Sequence, residues 1–467
     1  MERLVSQTER GILEKKEVVM QRLEEEDRRH DKQGQKARTA LQPTEALKVF
    51  FDRIPLFSVP GIDNAGVVEV TANDTIGDAL KLLYKHRVLG APVRDSHRLD
   101  SAPLTDRYVG LIDFASMVLW VLEEFEDAEE RAKVSGMILS PTDAPDNATA
   151  SLGKMMMAEQ VSGGTQSTSL PADDDLEDGF FGLLNKLDSV KSTNVGALSR
   201  TFRWGPFLPV RPDDSLLHVL LLLSKHHLQA VPVVAAESED ATVKGFITQD
   251  AAVQLLLQCD GLTWFDLMAE KPLSDLGFEL EQNSGTLVGV NGDDTLITAF
   301  RAMWKHRVSA MPVTDTASKH IIGTVRNTDL LILLDQPNLF NKRREILLKD
   351  FLQVETADEK SQIITQGSME EDLGAVISTT ALTLGSVSRP KMTQPVVSLP
   401  SDSLKTTMEK LVQSHSNRSF IVDDKGRLMG VITLRDIIMQ FAPPLAQAPN
   451  QWGGFFESAL QQTSSVL

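Results

Sequence analysis

Nine residues, KHRVLGAPV at 85–93, recur as KHRVSAMPV at 305–313 and, loosened, as KHHLQAVPV at 225–233. Recurrence at this spacing calls for a repeat architecture, in which one small unit is copied and the copies share a core. Each match follows a short apolar strand candidate and an acidic start. These are VVEV before Asn73-Asp74-Thr75-Ile76, PFLPV before Asp213-Asp214-Ser215-Leu216, and LVGV before Asp293-Asp294-Thr295-Leu296. PVVSL before Ser401-Asp402-Ser403-Leu404 begins a fourth set. Asp74 to Pro92, Asp214 to Pro232 and Asp294 to Pro312 span one and the same interval, and the same step from Asp402 reaches Phe420. The stretch QSHSNRSFIVDD is therefore a faded fourth copy.

Between these marks the apolar residues fall on one face of a helix. The faces are Ile76, Ala79, Leu80, Leu83; Leu216, Val219, Leu220, Leu223; Leu296, Ala299, Phe300, Met303; and Leu404, Thr407, Met408, Leu411, where Thr407 alone departs. Asp followed by Ser or Thr ahead of such a face marks a helix start, since those side chains accept from unpaired amides. After the helix, APV, VPVV, MPV and FIV read as strands, followed by a loop of variable length and a second strand opening at Gly110, Gly245, Gly323 or Gly430. A second apolar helix closes each copy: ASMVLWVLEEF, AAVQLLLQC, TDLLILLDQ and RDIIMQFA. One such strand-helix-strand-strand-helix unit is too small for its own core, so the copies are expected in pairs.

The rest of the chain bounds the function. No apolar run among the 467 residues approaches bilayer-spanning length, and the N-terminal MERLVSQTERGILEKK lacks the apolar core of a secretory signal. The single cysteine, Cys259, excludes an internal disulfide and suits a reducing compartment. A formal charge of −18 argues against nucleic acid as a partner. No P-loop, nucleophile elbow, metal-spaced histidine pair or kinase signature appears, so no enzyme activity is expected.

The units, and GVITLRDII at 430–438 in particular, resemble the CBS domain. Four copies without an attached enzyme resemble the gamma subunits of AMP-activated and sucrose-non-fermenting-type protein kinases. TFRWGPFLPV at 201–210, CDGLTWFDLMAEKPLSDLGF at 259–278 and WGGFFES at 452–458 are similar to the plant-type members. The resemblance implies an α/β (α+β) fold in which four CBS units (β-α-β-β-α) pair into two modules forming a flat pseudo-symmetric disc. It implies a kinase catalytic (alpha) subunit and a beta subunit as partners, no membrane, a cytoplasmic and nuclear setting, and AMP, ADP or ATP as regulatory ligands with no obligatory cofactor. The expected division is a charged N-terminal tail or helix at 1–45, units at 46–134, 195–262, 263–345 and 383–444, linkers at 135–194 (acidic and disordered) and 346–382, and a C-terminal tail at 445–467.

In the family a carboxylate takes the ribose hydroxyls, supplied by Ser/Thr-x-x-Asp beginning three residues after the strand glycine. The fourth copy keeps the pattern as Thr433-Leu434-Arg435-Asp436, and the third keeps the acid alone, as Arg326-Asn327-Thr328-Asp329. The second has Thr248 with Ala251 at the acid position, and the first exchanges the types as Asp113 and Ser116. The family's His-Arg before the second strand becomes Asn417-Arg418 in the fourth copy, leaving Arg418 as phosphate cation. The resemblance thus assigns nucleotide to the cleft of units 3 and 4, with Asp329 and Asp436 on ribose, Thr433 supporting the turn, and Arg418 and Asn417 near phosphate. Two readings stay open. Ser/Thr-x-x-Asp is also an ordinary capping pattern, and Arg326 either reaches a phosphate or fills the cleft. A free-standing adaptor for adenosyl ligands and a scaffold without sensing are the alternatives.

Overall fold

The computed structural model describes residues 43–58, 67–97, 107–138, 179–202, 206–226, 228–234, 243–278, 288–354 and 391–442. Helix α1 (Pro43–Asp52) leads in. Unit 1 is β1 (Val70–Thr71), α2 (Ile76–Lys85), β2 (Gly90–Arg94), β3 (Tyr108–Asp113) and α3 (Phe114–Ile138). Three short helices follow, α4 (Phe180–Leu184), α5 (Asp188–Ser192) and α6 (Val195–Phe202). Unit 2 is α7 (Leu216–Lys225), β4 (Ala230–Val234), β5 (Val243–Thr248) and α8 (Gln249–Leu257), and α9 (Thr263–Ala269) leads out of it. Unit 3 comprises β6 (Val290–Asn291), α10 (Leu296–His306), β7 (Ala310–Thr314), β8 (Ile321–Arg326), α11 (Leu330–Asp335) and α12 (Pro337–Asn341), with α13 (Leu348–Phe351) after it. Unit 4 is β9 (Val397–Ser398), α14 (Leu404–Gln413), β10 (Arg418–Val422), β11 (Leu428–Thr433) and α15 (Leu434–Phe441).

Each unit has one topology. The strand before the helix pairs parallel with the strand after it, and that strand pairs antiparallel with the next. In unit 2 the parallel contact shrinks to a single bridge, Val210 to Val233. The repeated proline lies in the central strand, where it has no amide to donate. At the same place in unit 4, Phe420 N donates to Val396 O at 2.8 Å.

The recurring aspartate closes the turn between strand and helix. Asp74, Asp214, Asp294 and Asp402 each accept from the amide three residues back, at 2.8, 2.7, 2.8 and 2.9 Å. The following hydroxyl caps the helix in units 1 and 4, through Thr75 and Ser403, whereas Ser215 and Thr295 make no side-chain cap bond. All four helix faces read from the sequence are buried. The departure, Thr407, bonds Ser403 O at 3.2 Å and Ser398 Oγ at 3.3 Å, which satisfies its hydroxyl inside the core.

The segment leading into each unit packs on a different unit. Ile54 and Leu56 bridge to Leu216 and Asp214 of unit 2, while Thr193 and Val195 bridge to Ile76 and Asp74 of unit 1. Lys271 and Leu273 bridge to Leu404 and Asp402 of unit 4, while Ile346 and Leu348 bridge to Leu296 and Asp294 of unit 3. Units 1 and 2 therefore exchange lead-in segments, and so do units 3 and 4. This corrects the expected linkers. Residues 180–184 and 188–192 are helical with Phe180, Phe181 and Val190 in the core, and 346–382 begins with the buried Leu348 and Phe351. The acidic run at 173–178 and the WGGFFES segment lie outside the described residues.

Units 1 and 2 also meet through their sheets, where Tyr108 stacks on Phe207 at 4.4 Å. Units 3 and 4 do the same, with Arg418 of β10 donating to Ala310 O of β7 at 2.9 Å. Helices join the remaining sides. One large core unites units 1 and 3 and another unites units 2 and 4. The contacts close into a ring in the order 1-2-4-3, the pairing expected of the disc.

The repeated glycine is the third residue of its strand, opposite a β-bulge in every unit. A Cβ on Gly430 would lie 2.5 Å from Phe278 O, and one on Gly323 would lie 2.8 Å from Met392 O. In units 3 and 4 the glycine thus admits the backbone that leads into the partner unit. Gly430→Ala is expected to destabilise the full chain by about 1–3 kcal/mol, because a carbonyl cannot swing aside as a side chain can. An unchanged urea midpoint would show that the segment is not held there.

Candidate functional site

The site of interest is the junction where each unit's third strand enters its second helix. In all four units the first helical amide donates to the carbonyl just before the central strand. The pairs are Phe114 to Leu89 at 2.8 Å, Gln249 to Gln229 at 3.1 Å, Asn327 to Ser309 at 2.8 Å and Leu434 to Asn417 at 3.1 Å. That bond sets Asn417-Arg418 beside Thr433-x-x-Asp436, so residues far apart in sequence share one corner.

In unit 4 this corner is a capping box. Asp436 Oδ2 accepts from Thr433 N at 2.9 Å and from Thr433 Oγ1 at 2.6 Å, while Thr433 Oγ1 in turn accepts from Asp436 N at 3.3 Å. Asp436 Oδ1 has no hydrogen bond among the described residues. Arg418 crosses to unit 3, donating from Nη1 to Ala310 O at 2.9 Å and from Nη2 to Ser309 Oγ, with Nε to Asn417 Oδ1 at 3.3 Å. Burial lowers the Arg418 guanidinium to about 10, and the charge of Asp436 opposes that shift. Arg418 therefore keeps its charge at neutral pH. Two of its five N–H groups remain for another acceptor.

Unit 3 is different. Asp329 is buried, and its Oδ2 accepts from Arg326 N at 2.8 Å and Arg326 Nε at 3.2 Å, while Oδ1 accepts from Nε at 3.2 Å and Nη2 at 2.8 Å. Arg326, whose two open readings are phosphate contact and cleft filling, folds its side chain back onto its own helix start. Among the described residues the structure brings Arg418, Asn417, Thr433 and Asp436 together in one corner and Arg326 with Asp329 in the corresponding one.

Units 1 and 2 hold other chemistry at this position. Asp113 accepts from Ser116 N at 3.0 Å and Ser116 Oγ at 2.6 Å, so it caps the helix from the other end of the pattern. Burial raises its carboxyl above the ordinary value, although the Ser116 bonds oppose this. Thr248 Oγ1 accepts from Ala251 N at 3.2 Å with no carboxylate beside it. Asp250, one residue early, accepts from Gln254 Nε2 at 2.9 Å. Burial raises Asp250 too, and His415 of unit 4 pulls it down.

Two basic residues at the ends of the first helices have partners within the protein. Arg87 and Arg307 adopt left-handed φ of 53° and 56°, and His415 in unit 4 does the same at 48°. Arg87 bonds Asp335 at 3.2 Å, and Arg307 lies over the Trp304 ring at 4.0 Å. Ser309 was missed from sequence. Its signal is positional, since it occupies in unit 3 the place of Asn417 in unit 4.

Among the described residues no group of histidine, cysteine, aspartate and glutamate could hold a metal, and no helix is long and apolar enough to cross a membrane.

The CBS domain model matches residues 197–258, 284–335 and 384–442. The SNF1-related protein kinase regulatory subunit gamma-1 of Arabidopsis thaliana is 28% identical over 420 residues, which is 90% of this chain and 88% of that protein. A second Arabidopsis thaliana protein, regulatory subunit gamma-1-like, is 29% identical over 440 residues, 89% of this chain and 90% of its own length. Among solved structures, a Methanocaldococcus jannaschii protein matches with a TM-score of 0.45 at 14% identity, covering 83% of this chain and 100% of that one. The chain thus carries CBS domain repeats. Along nearly its whole length it is similar to regulatory gamma subunits of SNF1-related kinases, which are not catalytic chains.

Proposed function

We propose that this chain is the non-catalytic gamma subunit of a heterotrimeric energy-sensing Ser/Thr kinase, scaffolding a catalytic and a beta subunit and holding an adenine nucleotide at the unit 4 corner. The observation that carries the nucleotide reading is the half-used carboxylate of Asp436 beside the charged, part-satisfied Arg418. Asp436 Oδ1 takes the ribose hydroxyls, Thr433 holds the carboxylate in place, and Arg418 with Asn417 faces phosphate. Occupancy acts on the kinase only through a difference in affinity between its two states.

Calorimetry with AMP, ADP and ATP tests this. Asp436→Ala is expected to weaken binding at least tenfold, on the order of one charge-assisted hydrogen-bond pair. Recovery of a kinase catalytic chain on the tagged protein from a lysate is expected alongside. Equal, negligible heats for wild type and variant, with the kinase still recovered, would leave a scaffold without sensing. That second reading is favoured by units 1 and 2, where Ala251 and Ser116 stand at the acid position.

A further inference from the structure

We propose that Arg326 is a built-in occupant of the unit 3 acid site, so that the pair of units 3 and 4 offers one nucleotide position and not two. This rests on the reading of the unit 4 corner given above and extends it to its partner. A carboxylate has about four lone-pair positions. In Asp436 the capping threonine uses those of Oδ2 and leaves Oδ1 open. In Asp329 four contacts from Arg326 engage both oxygens, and the two side chains are 14% and 1% exposed.

The difference follows from one residue type. A hydroxyl at the first position of the pattern reaches only the near oxygen, whereas a guanidinium fork spans both. The backbone records the same event. Unit 3 enters its helix through a 3-10 turn, Asn327–Asp329, while the second helices of units 1, 2 and 4 begin directly after the strand. A ribose diol could take Asp329 only by displacing Arg326 and leaving a mostly enclosed guanidinium without its partner. Separating such a pair weakens binding by roughly a hundredfold or more. Arg326 is thus a specificity-determining residue that closes one of two corresponding sites.

The test is calorimetric stoichiometry on the full chain with AMP, ADP and ATP, for wild type, Asp436→Ala, Arg326→Thr and Arg326→Thr/Asp436→Ala. Threonine is the residue units 2 and 4 carry at this position, so the helix start keeps a cap. Arg326→Lys, which retains the charge but not the fork, decides the matter if the threonine variant melts early. One equivalent is expected for wild type, lost with Asp436→Ala; two for Arg326→Thr; one again for the double variant. If wild type binds nothing and Arg326→Thr binds one equivalent, the inference stands and the Asp436 reading falls. Two equivalents in wild type, or wild-type binding that is lost with Asp329→Ala but kept with Asp436→Ala, overturns it. So does failure of both Arg326 variants to bind more than wild type.

Discussion

Glu126→Ala is expected to destabilise the chain by about 3–5 kcal/mol, the cost of leaving a buried charge without its partner. Helix α3 continues past its apolar half into EEFEDAEER, and unit 3 answers with three arginines. Arg343 donates to Glu126 Oε1 at 2.9 and 3.2 Å, with side chains 8% and 6% exposed. Arg344 donates to Glu126 Oε2 at 2.8 Å from Nε and pairs with Glu129 as well. Removing Glu126 strands Arg343 between the rings of Phe340 and Phe125. The outer ladder should matter far less. Arg301 pairs with Glu123, Asp127 and Glu130, but these groups are partly in water, so Arg301→Ala is expected to cost about 1 kcal/mol. Adding Arg343→Met to Glu126→Ala should restore most of the loss, because both charges then leave the interior together. Urea unfolding of the three variants checks this, and a loss below about 1 kcal/mol for Glu126→Ala would place the pair in solvent.

Much of this architecture was legible in the sequence, because helix faces and turn-closing residues are local. The four apolar faces and the aspartate before each helix fall where spacing placed them, and even Thr407 is buried on its face, whereas each strand opens two residues before the glycine expected to begin it. The exchange of lead-in segments was not legible. Sequence adjacency suggests that α9 packs on the unit it precedes, and only the three-dimensional path reveals Leu273 bridging to Asp402 of unit 4. The candidate site divides the same way. The pattern Thr433-x-x-Asp436 could be read at its offset, but whether Arg326 faces outward or folds onto Asp329 depends on a side-chain torsion. The partners of the acidic half of α3 carry no sequence signal, because Arg301, Arg343 and Arg344 lie in a unit far along the chain.

Phe265→Ala should show where the exchanged segments carry load, with an expected loss of about 3–5 kcal/mol from the lost transfer energy and the cavity left behind. Phe265 lies on α9, between units 2 and 3 in the chain, yet its ring is fully buried against Phe441 of unit 4, stacked at 5.4 Å and 8°. Trp264 meets the same pair edge-on and also touches Phe50 and Phe51 of α1. The cavity therefore opens in the core shared by units 2 and 4, and it loosens the lead-in segments of units 1 and 3 at once. Amide exchange should report lost protection in α7, α14 and α15, with β7 and β8 of unit 3 little changed. Leu267→Ala on the same helix is the control, since that side chain is 56% exposed and its removal should shift stability by no more than about 0.5 kcal/mol. If exchange instead accelerated first in β7 and β8, α9 would belong energetically to the unit it precedes. The ring of units would then be held by its sheets and by the core and charged α3 contact that join units 1 and 3.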